Sequence, residues 1–313
     1  MSIIFIGTPE FAVPSLRRLA GSGYRISAVI TQPDRPAGRG RSTRASPVKK
    51  AALELGIEVL QPATLRGKGE IERIAALHPE VMVAVAYGQI LRPDVLAIAP
   101  RGVVNVHPSL LPRYRGASPI QSAILSGDDV TGVTIMLMDA GMDSGPVLAQ
   151  QDVAIESNDT GGSLSARLAD VGAQLLSDAL RAWLDGNLQA QAQDESKATV
   201  TRLLSKDDGR IDWSESAVQI SREVRAFDPW PGSYTTLRGE KLIIWRGLPV
   251  EDGQSSSPGE LLELTGQPTN PRIAVATGDG MLELLDVQRE GRKRVSAADF
   301  VRGTRDLVGS RLG

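Results

Sequence analysis

Asn105-Val106-His107-Pro108-Ser109-Leu110-Leu111-Pro112-Arg113-Tyr114-Arg115-Gly116 is the stretch around which the chain is organised. An apolar run, residues 103–106, leads into it, and a helix-like run starting near Pro119 follows. Side chains of an extended segment alternate between faces, so Asn105 and His107 point the same way at the end of one strand. Pro108 has no N–H to give to a ladder, so pairing is expected to weaken there. In open parallel α/β sheets, ligands bind beyond the carboxyl ends of the strands. The pattern therefore aims an amide and an imidazole at the expected ligand crevice.

The flanking sequence supplies the rest of such a sheet. Residues 3–6, 26–30 and 57–60 are short apolar runs, and residues 81–86 are apolar without interruption, as a central strand covered on both faces should be. Residues 133–138 add a strand, and 147–149 begin an edge strand or a return. Gly7-Thr8-Pro9 reads as a tight turn from the first strand into a helix that ends near Gly21. Neither G-x-G-x-x-G nor a P-loop follows that strand, which argues against dinucleotide binding. Residues 162–183 place Leu164, Leu168, Val171, Leu175, Ala179 and Leu180 at helical spacing, the pattern of a helix covering the sheet.

After residue 187 the texture changes. Residues 188–201 are polar, Gln-rich and aperiodic, the composition of a linker. A helical pattern over 214–227 precedes five short strands at 234–237, 241–246, 259–264, 273–276 and 282–287. Regularly spaced short strands with Gly and Pro turns predict a small β-barrel, and five strands fit the oligonucleotide-binding type. The predicted fold class is α/β: an open Rossmann-like, parallel-rich sheet with helices on both faces, then a small C-terminal OB-like barrel. The expected domains are 1–187, a linker at 188–206, and 207–313.

Composition narrows the chemistry. A chain of 313 residues, 41% hydrophobic and 23% charged, has the make-up of a soluble globular protein. There is no cysteine, which excludes disulfides and thiol nucleophiles, and with only two histidines, His78 and His107, no metal site is expected. His78 precedes Pro79 and reads as a helix stop. No membrane-length apolar run and no N-terminal signal pattern is present, so the expected compartment is the cytoplasm. The net charge of −2 gives no global pull on nucleic acid. Residues 34–50, however, hold six basic residues (Arg35, Arg39, Arg41, Arg44, Lys49 and Lys50) against the single acid Asp34. A long Gly- and Pro-rich loop of that charge is either a solvated surface or a phosphate-binding element. Within it, Ser46-Pro47 reads as the start of a helix that stops at Gly56.

A third polar group lies downstream in Asp139-Ala140-Gly141-Met142-Asp143-Ser144-Gly145, a loop from which Asp143 can fold back onto His107. A nearby carboxylate favours the charged imidazole. Ser109 has the chemistry of a nucleophile but lacks a G-x-S-x-G elbow. An amide, an imidazole and a carboxylate at one crevice suit a reaction that develops an oxyanion and moves a proton.

Asn105, His107 and Asp143, with Ser109-Leu110-Leu111-Pro112 and Arg113-Tyr114-Arg115-Gly116, resemble the signature of the 10-formyltetrahydrofolate-dependent formyltransferases. The resemblance covers nearly the whole chain. It is strongest to the branch whose acceptor is methionyl-initiator tRNA, because residues 31–40 resemble that branch's inserted tRNA-contacting loop. Arg210-Ile211-Asp212-Trp213 and Pro229-Trp230-Pro231 resemble its C-terminal part. Pro108 stands where glycine is common in the family.

The resemblance implies a formyltransferase catalytic domain over 1–187, a tRNA-binding barrel over 207–313, and Asn105, His107 and Asp143 as catalytic residues. It implies 10-formyltetrahydrofolate as formyl donor, contacted by Ser109, Leu110, Leu111 and Pro112, with Tyr87, Gly88, Ile90 and Leu91 lining the folate pocket. Packing of Ile90 and Leu91 in the core is an equal alternative. Arg35, Arg39, Arg41, Arg44 and Lys49 are the implied tRNA contacts, and the implied state is a monomer. Arg113 and Arg115 are left with two roles, contact with an anionic substrate or bracing of the loop. The rival readings are an amino-sugar-nucleotide formyltransferase, a glycinamide ribonucleotide formyltransferase, and an inactive RNA-binding module on the same fold.

Overall fold

The computed structural model describes residues 1–37, 42–251, 256–267 and 270–313. They form two compact units. The first comprises Met1–Pro119, Val130–Ala154 and Ser165–Thr201; the second comprises Ile120–Asp129, Ile155–Leu164 and Arg202–Gly313.

The first unit is built on β1 (Ser2–Gly7), α1 (Val13–Gly21), β2 (Arg25–Ile30), β3 (Arg35–Ala37), β4 (Ser42–Arg44), α2 (Pro47–Glu54), β5 (Val59–Leu60), α3 (Lys68–Ala75), β6 (Val81–Val85), α4 (Pro93–Leu96), β7 (Val103–His107) and β8 (Arg115–Gly116). After α5 (Pro119–Ser126), which from Ile120 on belongs to the second unit, the first continues with β9 (Val130–Leu137), β10 (Val147–Ala154), α6 (Gly161–Leu184, from Ser165 on) and β11 (Val200–Thr201). The main sheet has seven strands in the order β10-β9-β7-β6-β1-β2-β5. β7, β6, β1, β2 and β5 run parallel, while β9 is antiparallel to β7 and β10 to β9.

Every residue of β6 and β7 is buried, which explains the uninterrupted apolar composition of β6. β10, at the edge, alternates less strictly and is largely exposed. On one face α6 lies directly on the sheet. A Cβ at Gly172 would stand 2.9 Å from the Val106 side chain and 3.3 Å from that of Val133, so glycine permits this close approach. Ile4, Ile6, Ile30, Met82 and Val103 belong to a core shared with Ile74 of α3 and Val95 of α4.

Each predicted strand of the sheet is present, but 34–50 differs from the irregular loop expected. Arg35 pairs with Arg44 and Ala37 with Ser42, making β3 and β4 an antiparallel pair. Its base is fixed by an ion pair from Lys49 to Asp34 at 2.6 Å and by the Gln61 amide donating to Asp34 at 2.8 Å. Pro and Ala, two of the three residues of β3, have low strand propensity, so composition hid this pairing. α2 starts as expected, with the Ser46 hydroxyl accepting from the Lys49 N–H.

The second unit carries α7 (Ala217–Ala226), β12 (Ser233–Leu237), β13 (Glu240–Val250), β14 (Leu261–Gln267), β15 (Asn270–Ala276), β16 (Met281–Arg289), β17 (Val295–Ser296) and α8 (Ala297–Arg302). The five long strands pair antiparallel in the order β12-β13-β16-β15-β14. The C-terminal residues bridge the two outer strands, Leu312 to Leu237 on one side and Arg311 to Glu260 on the other. That closure makes the expected small barrel. Ile220 and Val224 of α7 pack into its core with Leu242, Ile244 and Val287, and the indole N–H of Trp213 donates to Thr235 inside it.

Candidate active site

β7 delivers Asn105 and His107 to one face at the carboxyl edge of the sheet, where they are 9% and 4% exposed. Among the described residues the Asn105 side-chain amide has no hydrogen-bond partner. A nearly buried amide left unpaired costs about 1–3 kcal/mol unless something else satisfies it. That leaves the Asn105 amide open to a ligand or to solvent at this edge.

His107 is the opposite case. Its Nε2 lies 2.9 Å from the Tyr114 carbonyl, which can only accept, so Nε2 carries a hydrogen. Its Nδ1 lies 3.6 Å from Asp143 Oδ2. Burial is the largest influence on the ring and pulls its pKa below the ordinary 6.5, against the Asp143 carboxylate and the Tyr114 carbonyl, which push it up. Burial outweighs the carboxylate, so the resting ring is neutral at pH 7, in contrast to the protonated ring that a carboxylate by itself would favour.

Asp143 is held in turn. Its backbone sits at φ +50°, uncommon for a residue with a Cβ, and its Oδ2 accepts from the Gly116 N–H at 2.8 Å. Gly116 has φ +100°, and a Cβ there would meet the Thr201 carbonyl at 2.5 Å, so only glycine presents this N–H.

The loop between β7 and β8 is bonded to the inside. The Ser109 hydroxyl donates to the Arg113 carbonyl at 2.6 Å, and Ser109 is fully buried. Thr134 Oγ1 donates to the Ser109 carbonyl and accepts from the Leu111 N–H, and Gln150 donates to the Leu111 carbonyl at 2.8 Å. The Ser109 hydroxyl is thus spent on the loop itself. Leu111 is buried, and Leu110 packs over Gly132, where a Cβ would clash with its Cδ2. Pro112 is half-buried and its carbonyl accepts from the Thr199 N–H. Arg115 takes the bracing role: it is 7% exposed and forms a two-pronged ion pair with Glu195 at 2.9 and 2.6 Å. The Arg113 guanidinium lies 4.8 Å over the Tyr114 ring.

One strand further along the sheet, Tyr87 and Gly88 border a cleft of about 670 Å³ that Thr8, Gln32, Arg44 and Ser46 also line. Asn105, His107 and Asp143 are not among its walls. Thr8 Oγ1 and the Gln32 amide both donate to the Tyr87 carbonyl, at 3.1 and 3.3 Å, and tie the ends of β1, β2 and β6 together. Sequence reasoning gives Thr8 only a place in a tight turn and Gln32 only a place in the loop that resembles a tRNA-contacting one, though a hydroxyl and an amide directly after two predicted parallel strands are a usable signal. The Tyr87 hydroxyl is buried without a partner among the described residues, and burial pushes its pKa up to about 12. Ile90 is 85% exposed, whereas Leu91 is buried in the core. Core packing therefore accounts for Leu91, and Ile90 offers an apolar surface.

Of the basic residues, Arg44 is exposed and lines the cleft, and Lys49 is paired with Asp34. Arg35 starts β3. Arg39 and Arg41 lie outside the described residues.

Comparison with known proteins agrees with this architecture. Residues 1–180 match the formyl transferase family and residues 203–305 match the formyl transferase C-terminal domain. A methionyl-tRNA formyltransferase of Roseiflexus sp. strain RS-1 is 50% identical, over all of this chain and 95% of its own length. The methionyl-tRNA formyltransferase of Solibacter usitatus is 47% identical, over all of this chain and 99% of its own length. Among solved structures, an N-formyltransferase from Helicobacter canadensis, in complex with folinic acid and dTDP-3-aminofucose, has a TM-score of 0.67. It covers 92% of this chain and 98% of its own at 18% identity, and so shows a shared fold. Glycinamide ribonucleotide transformylase 1 of Symbiobacterium toebii matches over 62% of this chain and 94% of its own, with a TM-score of 0.51 at 21% identity. The chain belongs to the formyl transferase family and, within it, to the methionyl-tRNA formyltransferases.

Proposed function

We propose that this chain transfers the formyl group of 10-formyltetrahydrofolate to the amino group of methionyl-initiator tRNA, giving N-formylmethionyl-tRNA for translation initiation. The observation that carries the reading is the Asn105 amide, without a partner among the described residues, near the His107–Asp143 pair at the carboxyl end of β7. The full-length relatives supply the acceptor.

In this reaction the methionyl nitrogen bonds to the formyl carbon and the bond from that carbon to folate N10 breaks. The amine loses a proton, N10 gains one, and the formyl oxygen carries negative charge in between. Asn105 donates to that oxygen, where a donor is worth most because charge develops there. Asp143, whose side chain is 18% exposed against 5% for His107, meets the amine proton first. The neutral ring and the carboxylate carry one negative charge before they accept the proton and none after. A buried pair gains from that neutralisation. The same proton is then available to N10.

A pterin needs apolar walls with backbone donors and acceptors. Exposed Ile90, the Gly88 peptide and the half-buried Leu110 and Pro112 of the Ser109-Leu110-Leu111-Pro112 turn are the groups left for this contact. The acceptor end of the tRNA enters from the side of Arg44, Arg35, Arg39 and Arg41 are its further phosphate contacts, and Lys49 serves that face by holding Asp34. In this reading the chain works as a monomer in the cytoplasm, and no helix of the described residues is long and apolar enough to cross a membrane. The experiment is to supply 10-formyltetrahydrofolate with charged initiator tRNA, an amino-sugar nucleotide or glycinamide ribonucleotide. Formylation of the tRNA alone is expected. Faster turnover of either small acceptor would overturn the reading.

A further inference from the structure

We infer that Gln193, in the polar segment after α6, is a positioning residue for this transfer: it holds the Asp143 loop against His107. The inference rests on the formyl-transfer reading for its kinetic consequence, but its geometry stands apart from it. The Gln193 side-chain NH₂ donates to the carbonyl of Asp143 at 2.8 Å and to that of Gly145 at 2.7 Å. Its Oε1 accepts from Arg115 Nε at 3.1 Å and from Nη2 at 2.8 Å. Both hydrogens and both lone pairs of the amide are therefore used. The orientation of the amide is fixed by chemistry, because carbonyls only accept and a guanidinium only donates.

The second support of Asp143 depends on the same segment. The Gly116 N–H that holds Oδ2 follows Arg115, whose own N–H donates to the Thr199 carbonyl at 2.8 Å and whose side chain is gripped by Gln193 and Glu195. β8 pairs with β11, matching Arg115 to Val200 and Gly116 to Thr201. A residue held at φ +50° persists only where its surroundings over-determine it, and here the bonds to Gln193 and Gly116 do so. The lever is the 3.6 Å gap between Asp143 Oδ2 and His107 Nδ1. In a buried site the effect of a carboxylate on a ring falls steeply with distance, and a displacement of about 1 Å is enough to cost rate.

The test uses Gln193→Ala and the nearly isosteric Gln193→Met in the full chain, which share the loss of all four hydrogen bonds but differ in bulk. Two readouts are taken. The first is the titration of His107 by NMR, made tractable because the chain has only two histidines. Loosening Asp143 removes an influence that raises the ring's pKa, so the midpoint should move down in both variants. The second is single-turnover transfer, where kcat should fall about 10–100-fold in both variants while KM for folate changes less than threefold. A His107 titration identical to wild type in a folded Gln193→Met variant would overturn the inference. So would recovery of full rate in the Met variant, which would show that only bulk matters. Failure of the wild type to formylate methionyl-tRNA would instead reject the formyl-transfer reading, and the titration would still decide the positioning role.

Discussion

Among the described residues Asn105 spends none of its side-chain hydrogen-bonding capacity, whereas both nitrogens of His107 face fixed acceptors. That contrast separates their roles at the scale of single residues. Because burial lowers the His107 pKa, the neutral ring that takes the proton is already formed at pH 7. After division by the separately measured titration of the methionyl amine, kcat/KM should therefore rise with pH along a limb below 6.5 and be flat through neutrality. Asp143→Asn removes the carboxylate that raises the ring's pKa, so it should move this limb to lower pH and lower the plateau. A limb centred above 6.5 in the wild type would contradict the neutral-ring assignment. Asn105 and His107 were legible in the sequence because strand alternation fixes their common face. The Tyr114 carbonyl and the Gly116 N–H that hold His107 and Asp143 were not, because a backbone group leaves no mark in the identity of its residue.

At the scale of elements, the β3–β4 pair and α7 each carry a prediction. Lys49 is already neutralised by Asp34, while Arg44 stands exposed on the cleft with no partner among the described residues. Arg44→Ala should weaken tRNA binding and flatten its log–log salt dependence by about 0.7–0.9, the change for one phosphate contact. Folate affinity should be preserved. Adding Arg39→Ala and Arg41→Ala should flatten it further, and an unchanged slope in the triple variant would remove this element from the tRNA-binding account. In α7, burial, then Glu215 and Asp212, push the Glu223 carboxyl up to about 7. The folded state thus binds more protons than the unfolded one between the ordinary carboxyl value and about 7, and stability falls as pH rises through that window. Glu223→Gln should raise stability at pH 8 by about 1 kcal/mol after screening, and by much less at pH 5. Equal effects at the two pH values, read by thermal melting, would contradict the assignment. The capping serines of α2, α7 and α8 follow plain local rules. The ion pair that fixes the β3–β4 base joins residues 15 apart and follows none.

At the scale of the whole molecule, the two units are not successive stretches of chain. Residues 120–129 and 155–164 belong with the barrel unit. Gly162 N–H donates to the Asp228 carbonyl at 2.9 Å, Arg225 donates to the Asp159 carbonyl at 3.0 Å, and Arg222 lies against Gly127. A fragment ending at Thr201 keeps its sheet but strips both segments of these partners. It should melt below the full chain, by about 2–4 °C for each kcal/mol lost, and an equal melting temperature would contradict the interleaving. Reading along the chain finds one boundary because it assigns contiguous pieces. It placed the change of texture near residue 187, and it read 188–206 as a linker for want of periodicity. Yet Val147 bridges to Gln191, and Gln193, Glu195 and Thr199 grip Arg115, Asp143 and Gly145. Side-chain amides bonded to carbonyls produce no hydrophobic pattern, so this attachment was not legible.

The account turns on Asn105 as the donor to the developing oxyanion. Its most direct test is the single-turnover rate of Asn105→Ala with saturating 10-formyltetrahydrofolate and methionyl-initiator tRNA, alongside the equilibrium affinity for each. The predicted result is a rate lower by about 10²–10³ with both affinities within threefold of wild type. A variant that transfers formyl at a near-normal rate would contradict the account.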